Sequence, residues 1–338
     1  MIDGSIVKLL VTGGAGFIGS ALVRGIVAGS YPELAGAEVV VLDKLTYAAG
    51  GFDNLGSAAG SERVRLVHGD VCDPRVVDEV TLGCDAVLHL AAESHVDRSI
   101  VDASVFTLTN VVGTQTVLAA ALRHRVDRFV QVSTDEVYGS VATGAWTEAS
   151  PLAPNSPYAA TKAGGDLMAR AYGRTHGLDV RITRGSNTYG PHQYPEKIVP
   201  LFTTRLLDGG PVPLYGEGAN VREWLHVEDH CRGIVATLTR GRAGEIYNLG
   251  GGRALSNREL TGMLLALTGR DRDSVRHVAD RPGHDLRYAL DGAKAARELG
   301  YAPMVAFEDG LAATVDWYRE HRSWWEPRRA HPAPVRSS

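Results

Sequence analysis

A glycine-rich turn directly after the first apolar segment is the feature that most restricts how this chain can fold. The segment Ile6–Val11 is compact and apolar, and the letters TGGAGFIG follow it. Two glycine spacings overlap there: Gly13, Gly16 and Gly19 are evenly spaced, and Gly14 starts a second pattern with the same two partners. One glycine permits a sharp turn, another lets backbone approach a pyrophosphate, and the third lets a helix pack on the strand. The turn therefore predicts a dinucleotide site at a helix N-terminus.

Short apolar segments alternate with longer amphipathic segments through the first half of the chain. The predicted strands are Ile6–Val11, Val39–Leu42, Arg63–His68, Ala86–Leu90 and Arg128–Val132. The amphipathic segments between them include Gly16–Ala28 and Ala103–Leu122. Near-continuous apolar strands that alternate with helices indicate a parallel sheet covered on both faces. Right-handed crossovers then give an α/β fold, a Rossmann-type doubly wound parallel sheet.

The pattern changes after about residue 185, where Gly, Pro, Tyr and Asn become frequent. Asn187–Pro195 and Gly209–Ala219 are predicted to be loops. Predicted helices follow at Ile198–Leu207, Val227–Thr239, Asn257–Leu267 and Phe307–Glu320. We therefore predict a dinucleotide-binding domain at 1–185 that also holds the catalytic residues. A smaller mixed α/β domain at 186–326 binds substrate and partly returns to the first domain, and 327–338 is a disordered tail.

Composition excludes several classes of protein. With 35 Lys and Arg against 39 Asp and Glu, the net charge is −4, which gives no electrostatic case for nucleic-acid or membrane binding. The cysteines Cys72, Cys84 and Cys231 form no CxxC pair, so neither a disulfide scaffold nor a zinc site is expected. His89 and His95 have no third ligand at useful spacing, and no metal is predicted. No segment contains about 18 consecutive apolar residues, and we expect a cytoplasmic enzyme.

The ends of the predicted strands carry residues that suit a dinucleotide. Asp43 ends the second strand, where a carboxylate accepts hydrogen bonds from ribose and repels a 2′-phosphate. This favours NAD over NADP, although the adjacent Lys44 weakens the preference. Asp70 follows the third strand and suits the adenine edge, and the letters LAA at the end of the fourth strand let a cofactor lie close.

Tyr158 and Lys162 stand four residues apart, which places both on one face of a helix. A phenol is a poor base at neutral pH because its ordinary pKa is about 10. A nearby ammonium stabilises the phenolate, so we expect the pKa of Tyr158 to be lowered. The pair could then remove a hydroxyl proton while hydride passes to a nicotinamide.

Asp135 and Glu136 follow the fifth strand as adjacent acids in the segment STDEVYG. Ligands in open α/β sheets bind outside the carboxyl ends of the strands, so these acids are candidates for catalysis. If one is protonated and the other ionised, they supply an acid and a base to one substrate. The alternative is a capping aspartate beside a solvated glutamate.

At this point the sequence resembles the extended short-chain dehydrogenases/reductases, and among them the dTDP-glucose 4,6-dehydratases. The resemblance covers about residue 6 to about residue 325. The matching segments are VTGGAGFIGS, LDKLTYA, HGD, LAAESHVDRSI, VSTDEVYG, SPYAATKAG, NTYGP, PEKIVPL, REWLHVEDH and RPGHDLRYA. STDEVYG is the discriminating segment, because related epimerases and decarboxylases share the glycines and the Tyr/Lys pair but lack the Asp-Glu pair.

The resemblance implies a three-part reaction on dTDP-glucose with NAD as cofactor. Tyr158, assisted by Lys162, takes the proton of the 4-hydroxyl while hydride leaves carbon 4, and Thr134 hydrogen-bonds the resulting ketone. Glu136 removes the proton of carbon 5, and Asp135 protonates the 6-hydroxyl, which leaves as water. Hydride then returns to carbon 6, so the net change is a dehydration to the 4-keto-6-deoxy sugar.

The resemblance also assigns binding residues. The implied cofactor contacts are Gly13, Gly16, Phe17, Ile18, Gly19, Asp43, Lys44, Leu45, Thr46, Asp70, Val71, Leu90, Ala91, Ala92, Ser94, Thr109, Tyr158, Lys162 and Thr188. The implied nucleotide-sugar contacts are Ser94, Thr134, Asn187, Lys197, Pro213, Tyr215, Arg222, Asn257, Arg281 and His284. The forked N–H groups of the two arginines suit a diphosphate. The chain departs from the family at Thr188, where a second asparagine is common. If the cofactor contact uses only backbone, this changes nothing; if it uses the side chain, the shorter hydroxyl lowers cofactor affinity.

Other conclusions rest on the resemblance or stay open. The family pairs two helices as a four-helix bundle, which here implies a homodimer through Ala103–Leu122 and Pro157–His176. The rival functions are another nucleotide-sugar epimerase or decarboxylase of this family, and a non-catalytic NAD-binding regulator. The sequence fixes neither the nucleotide base nor whether the product enters a cell-surface polysaccharide or a secondary metabolite.

Overall fold

The structure, a computed structural model, describes residues 7–49 and 51–329. The strands are β1 (Lys8–Thr12), β2 (Glu38–Asp43), β3 (Val64–His68), β4 (Ala86–His89), β5 (Arg128–Thr134), β6 (Val180–Gly185), β7 (Asn187–Tyr189), β8 (Val212–Tyr215), β9 (Val221–His226), β10 (Ile246–Leu249), β11 (Arg253–Ser256) and β12 (Val275–Val278). The α-helices are α1 (Phe17–Val27), α2 (Pro74–Thr81), α3 (Val96–Val101), α4 (Ser104–Thr107), α5 (Thr114–Arg123), α6 (Pro157–His176), α7 (Ile198–Leu207), α8 (Val227–Arg240), α9 (Asn257–Thr268), α10 (Ala293–Leu299), α11 (Phe307–Glu320) and α12 (Arg322–Arg329).

Seven strands form the main sheet in the order β10-β6-β5-β4-β1-β2-β3, and every neighbouring pair is parallel. The strand order reverses between β1 and β4, which is where a doubly wound sheet binds its ligand. Apolar side chains cover both faces, with Leu9 and Val11 in one core cluster and Leu10 and Val40 in the other. The predicted fold class is confirmed. β10 returns to this sheet beside β6, and the proposed domain limits stay a prediction.

Two segments predicted to be loops contain short strands. β7, inside Asn187–Pro195, pairs in parallel with β9, which is antiparallel to β11. β8, inside Gly209–Ala219, pairs in parallel with β12. These predictions were wrong over three and four residues because such short strands are set by distant partners rather than by local pattern.

The predicted helix Ala103–Leu122 is interrupted. A π-helical segment, Leu108–Gly113, separates α4 from α5. Together they form a helical stretch, Ser104–Arg123, whose length and mean hydropathy of 1.5 would allow it to cross a membrane. The stretch contains Thr, Asn and Gln and packs Val117 and Leu118 into the core. The prediction that no segment could span a membrane thus needs correction on length and mean hydropathy, and part of this stretch packs in the core.

The C-terminal segment is helical where the sequence predicted disorder. α12 extends to Arg329 and includes the first three residues of the predicted tail, and 330–338 lie outside the described residues. Trp325 is 0% exposed, and its indole N–H donates to the carbonyl of Tyr318 at 2.6 Å. A polar, proline-containing composition indicated disorder, but burial of one tryptophan anchors the helix.

Candidate active site

The glycine turn leads from β1 into α1 as predicted. Gly13 has φ +70, and a Cβ placed there would lie 2.6 Å from the backbone nitrogen of Ala91. Gly16 caps α1 without a side-chain hydrogen bond, so the helix begins with N–H groups that a phosphate can meet. The turn therefore fits a pyrophosphate pressed against backbone, which is the chemistry the three glycines predict.

Asp43 at the end of β2 is tied to this turn. Its carboxylate accepts hydrogen bonds from the N–H groups of Ala15 at 2.9 Å and Leu45 at 2.8 Å. Burial raises the pKa of Asp43, and these bonds oppose that rise. Lys44 pairs with Asp70 at 2.7 Å instead of approaching Asp43. The carboxylate of Asp43, which would face a ribose, is thus not paired with the ammonium of Lys44.

A deep cleft lies over the glycine turn, and we name it the cofactor cleft. Of the predicted cofactor residues it is lined by Gly13, Gly16, Phe17, Ile18, Gly19, Asp43, Lys44, Thr46, Asp70, Val71, Leu90, Ala91, Ala92, Ser94, Thr109, Tyr158, Lys162 and Thr188. Leu45 does not line the cleft, and its backbone N–H serves Asp43 instead. The same wall includes Thr134, Asp135 and Glu136, so the predicted catalytic residues open into the cofactor cleft.

Tyr158 and Lys162 lie in the first turns of α6. Ser156 caps this helix by accepting from the N–H of Ala159, and Pro157 occupies its first turn. The ammonium of Lys162 donates to the carbonyl of Val132 on β5 at 2.8 Å. Burial lowers the pKa of Lys162 to about 8, with a partial opposing effect of Asp166.

The predicted direction of the Tyr158 pKa was wrong. Burial raises the pKa of the phenol, and the negative charges of Glu136 and Asp135 raise it further. A hydrogen bond with Thr134 opposes the rise. The spacing of Tyr158 and Lys162 did not reveal that the phenol would be buried and close to two acids, which together favour its neutral form.

Asp135 and Glu136 stand at the carboxyl end of β5, in a short 3₁₀ turn capped by Thr134. Asp135 is 2% exposed, and one of its carboxylate oxygens has no hydrogen-bond partner. Burial raises the pKa of Asp135 well above its ordinary value, and the charges of Glu136 and Glu223 add to the rise. The structure therefore favours a protonated Asp135.

More cations act on Glu136 than on Asp135. Burial raises the pKa of Glu136, but Lys197, Arg281 and Arg222 all oppose the rise. Three cations oppose the rise at Glu136, while Asp285 adds to it; at Asp135 only Arg222 is the opposing cation, and Glu136 and Glu223 add to the rise. The two acids thus have unlike surroundings, which suits an acid and a base acting on one substrate. The alternative of a capping aspartate beside a solvated glutamate does not describe these side chains.

A second cleft adjoins the first, and we name it the substrate cleft. It is lined by the predicted residues Asn187, Lys197, Pro213, Tyr215, Arg222, Asn257, Arg281 and His284. Both clefts are lined by Glu136, Asn187, Thr188, Gln193, Glu196 and Lys197, so the two clefts adjoin along this shared wall. Ser94 and Thr134, also predicted to touch the sugar, line the cofactor cleft.

The cations of the substrate cleft are held by neighbouring groups. Arg281 pairs with Asp97 at 3.0 Å, and the Tyr215 hydroxyl donates to the same carboxylate at 3.1 Å. Arg222 donates to the carbonyl of Asp285 at 2.9 Å. The ammonium of Lys197 donates to the carbonyl of Ser94 at 2.6 Å. These contacts fix the positive groups in place around a space that suits a diphosphate.

Comparison with known proteins agrees with this geometry. A family model described as GDP-mannose 4,6 dehydratase matches residues 10–314. The dTDP-glucose 4,6-dehydratases of Streptomyces niveus and Streptomyces griseus are 58% and 61% identical, over 96% and 94% of this chain and 96% of each relative. A crystal structure of the dTDP-glucose 4,6-dehydratase from Streptomyces venezuelae with NAD bound matches with a TM-score of 0.94 at 64% identity, covering 95% of this chain and 100% of that one.

The chain belongs to the dTDP-glucose 4,6-dehydratase family. The membership confirms the family, the fold class and the enzyme class predicted from the sequence, an NAD-dependent dehydratase.

The hydroxyl of Thr188, the departure from the dehydratase pattern, has hydrogen-bond partners within the protein. It donates to the carbonyl of Ser186 at 3.2 Å and lies 2.8 Å from Nδ1 of His230. Because the hydroxyl proton goes to the carbonyl, the ring nitrogen is the donor to the threonine oxygen. The hydroxyl of Thr188 is thus engaged within the protein, and the effect of this residue on cofactor affinity stays a prediction.

Sequence reasoning missed several residues of the dehydratase cleft. Glu93, Gln193, Tyr194, Glu196 and His230 line the cofactor cleft. Glu93 directly follows the letters LAA after β4, and the other four lie in the segment after β7 and in α8, which carry no spacing signal. The letters PEKIVPL and REWLHVEDH were quoted as matching segments, but only part of each was assigned a role.

The histidines considered as metal ligands have other partners. The ring nitrogens of His89 lie 2.6 Å from the hydroxyl of Thr12 and 3.0 Å from that of Thr114. His95 lies 3.7 Å from Glu196. Across residues 7–49 and 51–329, no three His, Cys, Asp or Glu side chains form a group that could hold a metal ion.

Proposed function

We propose that this chain converts dTDP-glucose to dTDP-4-keto-6-deoxy-glucose. The observation that carries the proposal is the pair of adjacent acids with unlike surroundings, Asp135 and Glu136, in one cleft wall with Tyr158 and Lys162. Elimination of water needs an acid and a base on the same sugar, and epimerisation does not. The close relatives are dehydratases of this kind.

The residues of the cofactor cleft fit NAD. The glycine turn would hold the pyrophosphate, and the carboxylate of Asp43 would accept from the ribose hydroxyls. A 2′-phosphate would meet the same carboxylate, which favours NAD over NADP. NAD supplies an acceptor for the hydride of carbon 4 and a donor for its return to carbon 6.

Tyr158 is the proposed base for the 4-hydroxyl. Burial and the negative charges of Glu136 and Asp135 raise the pKa of its phenol, so the phenol loses its proton more readily when Asp135 is neutral. A protonated Asp135 therefore can act as the acid, and it also places less negative charge beside the phenol of Tyr158. Lys162 lies one helical turn further on and balances the phenolate charge, and Thr134 donates to the carbon-4 oxygen.

Glu136 is the proposed base for carbon 5, and Asp135 is the proposed acid for the 6-hydroxyl. The ketone at carbon 4 acidifies the carbon-5 proton, which an ionised Glu136 removes. Asp135, buried and protonated, gives its proton to the leaving hydroxyl. When hydride returns to carbon 6, Glu136 gives its proton back to carbon 5. The proton that Tyr158 took from the 4-hydroxyl then replaces, through water, the one that Asp135 gave up, so the cycle balances. Each group is expected to contribute about 10²–10⁴-fold.

The nucleotide end belongs in the substrate cleft. Arg222 and Arg281 would grip the diphosphate, with Lys197 beside it, and Pro213, Tyr215, Asn257 and His284 would surround the nucleoside. Thymidine is the base of the close relatives, whereas the matching family model is described by a guanosine sugar. We assign thymidine because the relatives match at 58% and 61% identity over nearly the whole chain.

A substrate panel tests the function. The purified protein is incubated with dTDP-glucose, UDP-glucose or GDP-mannose, and the 4-keto-6-deoxy product is measured by its near-ultraviolet absorbance in alkali. We expect rapid product formation from dTDP-glucose and little from the others. Formation of an epimer without loss of water, or no reaction with any of the sugars, would contradict the proposal.

The proposal includes a homodimer in the cytoplasm, joined through the helices predicted to form a four-helix bundle. Leu108 and Val112 on the interrupted helix, and Leu167 on α6, are 55%, 42% and 53% exposed. Large apolar groups exposed together on two adjacent helices favour a partner surface. Light scattering after size exclusion tests the mass, and Leu167→Asp should release monomers. A monomeric parent protein would contradict the dimer.

A further inference from the structure

The C-terminal helix α12 is linked to two parts of the cofactor-cleft wall. One part consists of the glycine turn after β1 and the segment after β2, and α12 reaches both through Asn54. The other follows β7 and carries Tyr194, which lines the cleft. The contacts come from neighbouring parts of α12, at Trp324 and Arg328. A helix whose last three residues fall in the predicted tail is thus linked to the wall of the cofactor cleft.

The first contact passes through Asn54. The indole N–H of Trp324 donates to the side-chain oxygen of Asn54 at 3.1 Å. Asn54 is 0% exposed, and its amide nitrogen donates to the carbonyls of Ala15 at 2.9 Å and Ala49 at 3.1 Å. Ala15 lies within the glycine turn, and Ala49 lines the cleft.

The indole determines how the Asn54 amide faces. A primary amide has one oxygen that accepts and one nitrogen with two protons to donate. With Trp324 donating to the oxygen, both protons are directed at the two carbonyls, which joins the glycine turn to the segment after β2. If the amide turned over, its oxygen would face two carbonyl oxygens and its nitrogen would face an indole N–H, and all would be unpaired in a buried place.

The second contact passes through Tyr194. The Tyr194 hydroxyl donates to the backbone carbonyl of Arg328 at 2.7 Å. Tyr47, from the segment after β2, packs edge-on against the Tyr194 ring with 5.3 Å between centroids. Trp325, which is 0% exposed, anchors the helix itself. Trp325 thus anchors the helix, whereas Trp324 and the backbone carbonyl of Arg328 make its contacts toward the cleft.

We propose that α12 is a brace that slows the release of NAD, with Trp324 and Tyr194 as positioning residues. The inference rests on the proposed function, in which hydride is taken from carbon 4 and returned to carbon 6. Because the cofactor ends each cycle unchanged, it has no need to leave, and a brace on its cleft does not limit turnover. Trp324 acts through Asn54, and neither of them lines the cleft.

Release of NAD from the purified protein tests the brace. The protein is loaded with radiolabelled NAD and diluted into excess unlabelled NAD without sugar, and the retained label is followed in time. Trp324→Phe removes the indole N–H and keeps an aromatic ring. We expect release to be about fivefold faster, the effect of one lost hydrogen bond. Tyr194→Phe should accelerate release by a similar factor.

Trp146→Phe is a matched control. The indole of Trp146 donates to the carbonyl of Gly139 at 2.9 Å, and Trp146 does not line the cofactor cleft. Release from this variant should match that from the parent protein. Circular dichroism and thermal unfolding check that each variant is folded.

A double-mutant cycle separates the brace from a general loss of stability. If Trp324 acts through Asn54, Trp324→Phe should add nothing to the faster release of Asn54→Ala. Unchanged release in folded Trp324→Phe, equal acceleration in Trp146→Phe, or additive effects in the double variant would overturn the proposal. Failure to convert dTDP-glucose would instead overturn the proposed function, because the release assay contains no sugar.

Discussion

The cofactor cleft and the substrate cleft meet at Glu136 but are built differently. The cofactor cleft depends on backbone, with Gly13 held at positive φ against Ala91 and Asp43 bonded to backbone N–H groups. The substrate cleft depends on cationic side chains held by distant segments, such as Arg281 on the carboxylate of Asp97 and Lys197 on the carbonyl of Ser94. The first is fixed by local chain geometry, and the second by contacts between distant segments. Variants in the two clefts should therefore fail in different ways.

Variants of the acids where the clefts meet should have the largest effect. Glu136→Gln and Asp135→Asn keep the size of the side chains but remove the base and the acid. We expect product formation to fall about 10²–10⁴-fold, measured by the alkaline absorbance of the keto sugar. NAD content should stay at the parent level, because neither group holds the dinucleotide. A variant with the parent rate would show that its acid has another role.

Gly13→Ala should break the cofactor cleft alone. The new Cβ would stand 2.6 Å from the backbone nitrogen of Ala91 at φ +70. We expect a loss of about 2–4 kcal/mol in the free energy of unfolding and at least about tenfold weaker NAD binding, by thermal unfolding and calorimetry.

Gly29→Ala is the control, because Gly29 has φ +76 with no atom within 4 Å of the new Cβ. It should lose about 1 kcal/mol from backbone strain and bind NAD normally. Equal NAD loss in both variants would mean that strain, rather than contact with Ala91, is responsible.

Asp97→Ala should affect the substrate cleft alone. It frees Arg281 and Tyr215 from their shared carboxylate, so the diphosphate must order both groups as it binds. We expect the KM for dTDP-glucose to rise about fivefold with kcat little changed, since partly exposed ion pairs contribute about 1 kcal/mol. A lower KM would show that Asp97 competes with the substrate for Arg281. Glu79→Gln, which removes the exposed pair with Arg65, serves as the control.

The smallest effect is a pH dependence. Burial lowers the pKa of Lys162 from 10.5 to about 8, so its ammonium is present below that pH and lost above it. We expect kcat to fall about twofold as the pH rises from 7 to 8. The contribution of Lys162 to the free energy of unfolding should instead rise as the pH rises from 8 to 10.5. In that range the unfolded chain keeps the proton that the folded chain has lost. A flat kcat profile up to pH 9 would contradict the assigned pKa.

The contrast between local chain geometry and contacts of distant segments also explains what the sequence could predict. Gly13, Tyr158 and Glu136 were found because a turn, a helical spacing and a strand end each leave a local pattern. β7 and β8 were missed because strands this short take their conformation from β9 and β12. The direction of the Tyr158 pKa depends on acids that reach it through the fold, and α12 depends on burial of Trp325.

The carbonyl of Val132 that receives the Lys162 ammonium belongs to β5, the strand that ends next to Asp135 and Glu136. A thermal displacement of this strand would carry the ammonium, the acid and the base together, so their mutual distances would persist. A molecule that loses this alignment should then lose all activity. It should not release a 4-keto sugar that still carries its 6-hydroxyl. Near the unfolding temperature the yield should decline while the purity of the product is maintained.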